Sequence, residues 1–239
     1  AIRHLGGLER ANVFTKIYLA LNGQIQWDHI PSMPVELIFA PNWLYINIYE
    51  VSYWTRTIIV PLFIIAAIKA TVQTLPPGSL DTLYLKGPSK ADWFHGGNQS
   101  RTFLRTLFLM GDTVLKFLEE HQISEIRTRA IQKAEEWIQK HHYKTDGLGA
   151  IFPAMANSII GMHILGYDEH ENPTMAKSIQ DFENLVIEEN DHLRVQPCVS
   201  PVWDTALTCY ALLETGIPET HPALTRAAEW LLSKQTSTH

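Results

Sequence analysis

The sequence predicts an all-α fold built from helical hairpins. Three observations carry this. No segment shows a strong period-two alternation of apolar and polar residues. Gly166 and Gly216, fifty positions apart, each close an apolar helix that opens at a proline, Pro153 and Pro201. After each glycine a short loop reaches another proline, Pro173 or Pro222, and a second helix follows. A repeated helical hairpin is the simplest unit with that punctuation. Such hairpins stack in a line or close into a double-layered barrel. In a closed barrel, cavity-lining residues sit in the first turns of the inner helices.

In chain order, residues 8–22 read as a first helix with Val13, Ile17, Leu19, Ala20 and Leu21 on its apolar face, ended by Asn22-Gly23. Pro34 fits a first helical position, with Glu36 in the first turn. A long apolar pattern runs from Ile46 to Ala70, and Pro61 is expected to kink or split it. An all-round apolar helix of this kind is buried or faces lipid. Residues 71–97 form the largest loop-like stretch, marked by Pro76-Pro77-Gly78, Lys86-Gly87-Pro88 and Gly96-Gly97. The helix predicted over 100–119 carries Leu107, Phe108, Met110, Val114, Phe117 and Leu118 near Arg101, Arg105 and Lys116. It reads either as a core helix or as an apolar face that enters a membrane surface. Over 123–142 the pattern is amphipathic, with Ile126, Ala130, Ile131, Ala134 and Trp137 inward.

Composition excludes several classes. Of 239 residues, 46% are hydrophobic and 18% charged, enough apolar surface for a core, and the net charge is −6. A nucleic-acid partner needs a basic stripe, and none is present. The longest apolar run, Ile58 to Ile68, is too short for a bilayer-spanning helix. Cys198 and Cys209 match no zinc spacing and read as small buried apolar residues. The Asp168-Glu169-His170-Glu171 cluster reads as a solvated loop, and His141 and His142 do not share a helix face.

The chemistry is expected at two loop-to-helix junctions held side by side. One runs Asp146-Gly-Leu-Gly-Ala-Ile-Phe-Pro-Ala-Met155, the other Gln196-Pro-Cys-Val-Ser-Pro-Val-Trp-Asp-Thr-Ala-Leu207. Ser200-Pro201 reads as an N-cap followed by a first helical position. Asp204 then reads as a helix-start charge or as a working carboxylate. Trp203 reads as a core residue or as an indole face that stabilises a carbocation. The glycines lack the Lys-Ser/Thr of a phosphate loop.

These two motifs closely resemble squalene–hopene cyclases. So do Gly6-Gly7-Leu8, Val13-Phe14-Thr15, Met33-Pro34-Val35-Glu36 and Val51-Ser-Tyr-Trp-Thr-Arg-Thr57 through Pro61. The likeness is collinear over essentially the whole chain. It implies two α/α-barrels, one inserted in the other, with 1–187 the later part of the inserted barrel and 188–239 the truncated start of the main one. It implies a bacterial enzyme attached to one leaflet on the cytoplasmic side of the membrane, and a homodimer. The implied reaction converts squalene to hopene or hopanol through protonation and a carbocation cascade, with no metal or organic cofactor.

By position, the resemblance places Trp203, Ile151, Phe152, Pro153, Cys198 and Tyr18 along the substrate cavity. Phe152 stands where the family often has Gln. The family's Gln–Trp repeats are degraded: Trp137 is present, but His142 and Leu148 stand at Gln and Trp positions, and Trp230 and Gln235 begin another repeat. The family's general acid lies in an Asp-x-Asp-Asp motif, which does not occur in these residues. The chain is therefore read as an internal segment, inactive alone. Two other readings stand beside this one: a non-catalytic helical-repeat module binding a lipid or partner, and a sibling cyclase acting on another polyprenoid.

Overall fold

The computed structural model describes residues 1–44, 47–72, 75–91, 102–121, 123–142 and 147–235. Among these lie eight α-helices: α1 (Val13–Leu21), α2 (Tyr53–Ile68), α3 (Thr102–Glu120), α4 (Ser124–His142), α5 (Phe152–Ile164), α6 (Pro173–Glu183), α7 (Pro201–Glu214) and α8 (Pro222–Ser233). The predicted all-α class holds, with one addition. Strands β1 (Val186–Glu189) and β2 (His192–Val195) pair antiparallel, with Val186 opposite Val195. Asn190-Asp191 form the turn between Glu189 and His192, and Asn190 adopts the left-handed φ of 54° that such a turn needs. The run is too short, and too exposed on both faces, to show an alternating burial pattern.

Capping residues set several helix starts later than the apolar pattern alone suggests. Asn12 Oδ1 accepts from Thr15 N at 2.9 Å, so α1 begins at Val13 and residues 8–10 form a separate 3₁₀ turn. Ser52 Oγ accepts from Thr55 N at 3.2 Å and starts α2 seven residues beyond Ile46, which lies outside the described residues. Pro34 precedes a 3₁₀ helix, Val35–Phe39, rather than an α-helix.

Helix α2 does not split at Pro61; it continues through it. Its two sides serve two cores, which explains an apolar surface all the way round. Val60, Phe63 and Ile64 pack with Val35, Ile38, Ala130, Ala134, Ile138, Leu148, Ala154 and Met162. Leu62 and Ile65 pack with Ile17, Ala20, Leu21, Ile25, Ile30 and Tyr84. Burial of these side chains, each worth about 1.5–3 kcal/mol, offsets the backbone bond lost at the proline.

Helix α4 buries the ladder Ala130, Ala134, Ile138 and His142. Ile126, expected inward, is largely exposed, because α4 begins beyond the edge of the core and its first turn faces a surface groove. No helix among the described residues is long and apolar enough to cross a membrane.

Candidate cavity-wall site

The two junctions are stitched together. Ile151 and Cys198 form an isolated antiparallel bridge. Phe152 N donates to Pro197 O at 2.9 Å, and Val199 N donates to Ala150 O at 2.9 Å. The first N–H groups of a helix have no partner within it. Phe152 N is such a group at the mouth of α5, so the bond satisfies it and fixes the second loop against the first.

A strained turn presents this edge. Gly147, Gly149 and Ala150 adopt φ of 87°, 67° and 50°. The left-handed region costs alanine roughly 1 kcal/mol or more. Beneath it, Leu148 is fully buried and the buried Thr57 of α2 sits close: a Cβ on Gly149 would lie 2.7 Å from Thr57 Oγ1. Only glycine lets the loop lie this flat on α2. Asp146, the first residue of the motif, lies outside the described residues.

The six residues assigned to the cavity divide by position. Ile151, Phe152, Pro153 and Cys198 lie on the stitched edge. Phe152 is half-exposed, and its ring meets Phe182 of α6 at a centroid distance of 5.4 Å. Cys198 is half-buried rather than buried, as is Cys209, because both lie on or after the second loop, which the core does not cover. Tyr18 approaches α5 from α1: its hydroxyl donates to Oδ1 of the buried Asn157 at 2.8 Å. Burial pushes the Tyr18 phenol above its ordinary pKa. Trp203 sits in the first turn of α7 and is 65% exposed, so its indole face is open.

Asp204 accepts from Ser200 Oγ at 2.9 Å. Ser200 occupies the N-cap position, yet its side chain makes no cap bond there and turns to the carboxylate instead. Asp204 is an exposed helix-start charge in this arrangement, complementing the α7 dipole.

Sequence reasoning missed the support under the site. His142 is buried where α4, α5 and α6 meet; its Nε2 lies 3.3 Å from Ser158 Oγ and 3.2 Å from Ser178 Oγ. Both serines also donate to backbone, at Met155 O and Thr174 O. Burial lowers the His142 pKa to about 4; Asp181 opposes that shift and Lys177 adds to it. The ring is therefore neutral at pH 7 and acts as a hydrogen-bonded wedge. The available signal was Asn157-Ser158, two polar residues inside the apolar helix α5.

Comparison with known proteins gives concordant matches. The profile of the Squalene-hopene cyclase N-terminal domain matches residues 1–191, and that of the Squalene-hopene cyclase C-terminal domain matches 199–239. A squalene–hopene cyclase of Bradyrhizobium diazoefficiens is 36% identical over 98% of this chain and 36% of its own length. Dammaradiene synthase of the fern Dryopteris crassirhizoma is 35% identical over 98% of the chain and 34% of its own. A squalene–hopene cyclase of the yeast Schizosaccharomyces japonicus is 34% identical over 98% of the chain and 37% of its own. The chain thus spans about a third of the length of these relatives, and they are not confined to bacteria.

Proposed function

We propose, because this chain belongs to the squalene–hopene cyclase family, that it forms part of the cavity wall of an enzyme that cyclises squalene to hopene or hopanol. The carrying observation is the stitch between Ile151–Phe152 and Pro197–Val199, which holds two cavity-wall segments in one register. A proton added to a terminal alkene creates a cation that rings close upon. Loss of a proton, or capture of water, ends the cascade. Trp203 supplies an indole face that stabilises positive charge along the way. Ile151, Phe152, Pro153 and Cys198 shape the wall, and Tyr18, tied to Asn157, supports it from behind. Phe152 offers no hydrogen bond to a water, which favours ending by proton loss over hydration.

The sequence contains no Asp-x-Asp-Asp, so these residues by themselves do not supply the strong acid that an alkene requires. We place the boundary between the two barrels near 188, at the β1–β2 hairpin. His142 and Leu148 fill the Gln and Trp positions of a degraded repeat, both as buried packing groups. Squalene incubated with the full-length protein, with products identified by mass spectrometry, tests the reading. Pentacyclic product from the full-length protein and none from residues 1–239 supports it. Product from residues 1–239 alone contradicts the assignment of the acid elsewhere.

Attachment to one leaflet, on the cytoplasmic side, belongs to the same proposal. Its support is α3, where Met110, Val114, Phe117 and Leu118 stand exposed at i, i+4, i+7 and i+8, and where Leu118 shares an apolar groove with the exposed Leu44. The side chains of Arg101, Arg105, Leu107 and Phe108, which also bear on this expectation, lie outside the described residues. A homodimer of the full-length protein is the remaining part of the reading, checked by sedimentation equilibrium.

A further inference from the structure

The first hairpin brings the end of α6 back to the mouth of α5, and a second aromatic ring arrives there with it. Met175, Ser178 and Phe182 recur at i, i+3 and i+7 on α6, and the first two are buried. Phe182, on the same stripe, is half-buried, and its ring meets that of Phe152 at 5.4 Å with a tilt of 39°. Aromatic pairs attract at this separation. Three residues on, the carbonyl of the buried Leu185 accepts from Gln196 N at 2.7 Å. The next residue, Pro197, accepts from Phe152 N at 2.9 Å. The second junction therefore ties the end of α6 and the mouth of α5 into one corner. Phe152 is held there at its backbone by Pro197 and at its ring by Phe182. Phe152 is 40% exposed, so its ring is not enclosed by a core and needs a neighbour to fix its rotamer.

We propose that Phe182 is a positioning residue for the end of the cascade: it holds the Phe152 ring in the cavity wall and thereby selects proton loss over water capture. The inference rests on the reading that Phe152 lines the cavity of a squalene cyclase, and it extends that reading to α6. The last cation has two exits. In one, a neighbouring C–H bond gives its electron pair to a new double bond, and its proton passes to solvent water. In the other, a water oxygen bonds to the cationic carbon and then releases a proton to solvent. The second exit needs a water held at the carbon by a hydrogen-bonding partner. Neither Phe152 nor Phe182 carries such a group in its side chain, and the paired rings occupy the space that a water would take.

The test is the ratio of alcohol to alkene among the cyclised products that the full-length protein makes from squalene, read by mass spectrometry. Phe182→Ala should raise that ratio about fivefold, the worth of one aromatic pair. In a Phe152→Ala background the same substitution should change the ratio no further, because Phe182 acts through Phe152. Phe182→Leu keeps most of the volume and loses the ring; it should raise the ratio about twofold, and it provides a second arm should Phe182→Ala lose its helical circular dichroism. An unchanged ratio in either folded variant overturns the proposal. A fivefold rise that persists in the Phe152→Ala background overturns it too, assigning the effect to the space left by Phe182 itself. Absence of any cyclised product from the unaltered full-length protein overturns the cyclase reading and this inference with it.

Discussion

The hairpins α5–α6 and α7–α8 begin with the same punctuation and end in different environments. Each opens at a proline in its first turn, breaks at a glycine with φ near 90°, and starts its second helix at another proline. Yet α5 buries Ala154, Met155, Ala156, Asn157, Ser158, Gly161 and Met162, while α7 buries nothing and α8 only Leu224. The difference teaches that caps and breakers set where helices run, and that a packing partner sets what they bury. Helix α5 lies on α2, close enough that a Cβ on Gly161 would sit 3.6 Å from Pro61 O. Helices α7 and α8 pack chiefly on each other, and Trp203, Leu207 and Tyr210 share one open face at i, i+4 and i+7.

The sharpest way to break this contrast is a pair of truncations in residues 1–239. Ile64→Ala, at a fully buried position of α2, should lower unfolding free energy by about 3–4 kcal/mol. Leu207→Ala, at an exposed position of α7, should change it by less than about 0.5 kcal/mol. Urea denaturation followed by circular dichroism measures both. Equal losses would mean that α7 is packed as α5 is.

Acid should act on the first hairpin rather than the second, through His142 of α4, which is wedged against α5 and α6. The folded pKa of His142 is near 4, below its unfolded value, so the folded state binds fewer protons between those limits. Its contribution is complete above about pH 6.5 and is lost as the pH falls towards 4, a loss of about 3 kcal/mol from a shift of this size. His142→Gln should flatten that part of the stability–pH profile. A slope unchanged by the substitution would place the acid sensitivity elsewhere.

Glycine substitutions give smaller, graded effects. Gly149→Ala meets both a left-handed φ and Thr57 Oγ1 at 2.7 Å, and should cost about 2–3 kcal/mol. Gly216→Ala has a φ of 87° and open space around the added carbon, so its cost should be about 1 kcal/mol, from the backbone alone. Comparable losses at the two positions would remove the claim that the first loop is pressed onto α2.

Much of this arrangement was legible in the sequence, for local reasons. Gly166, Gly216 and the four helix-opening prolines of the hairpins act within a few residues of themselves, so the repeat could be read directly. The motifs at 146–155 and 196–207 marked the candidate site by resemblance, and the two junctions do lie side by side. The pairing of Ile151 with Cys198 was not legible, because a single bridge leaves no periodicity. His142 looked like half of an idle histidine pair; only the convergence of three helices makes it a buried wedge. Ile126 matched the apolar face of α4 by spacing, but spacing does not say where the core ends. The short strands at 186–195 were overlooked because both faces are exposed and the hydrophobic contrast is weak.

The central claim is that the stitched junctions form a wall that stabilises a migrating cation. Its most direct measurement is the product spectrum of the full-length protein carrying Trp203→Ala, with Trp203→Phe as the partner that keeps an aromatic face. With squalene as substrate, Trp203→Ala should divert a large share of turnover to incompletely cyclised products, and Trp203→Phe should restore most of the complete product. An unchanged product distribution in a folded Trp203→Ala would contradict the claim.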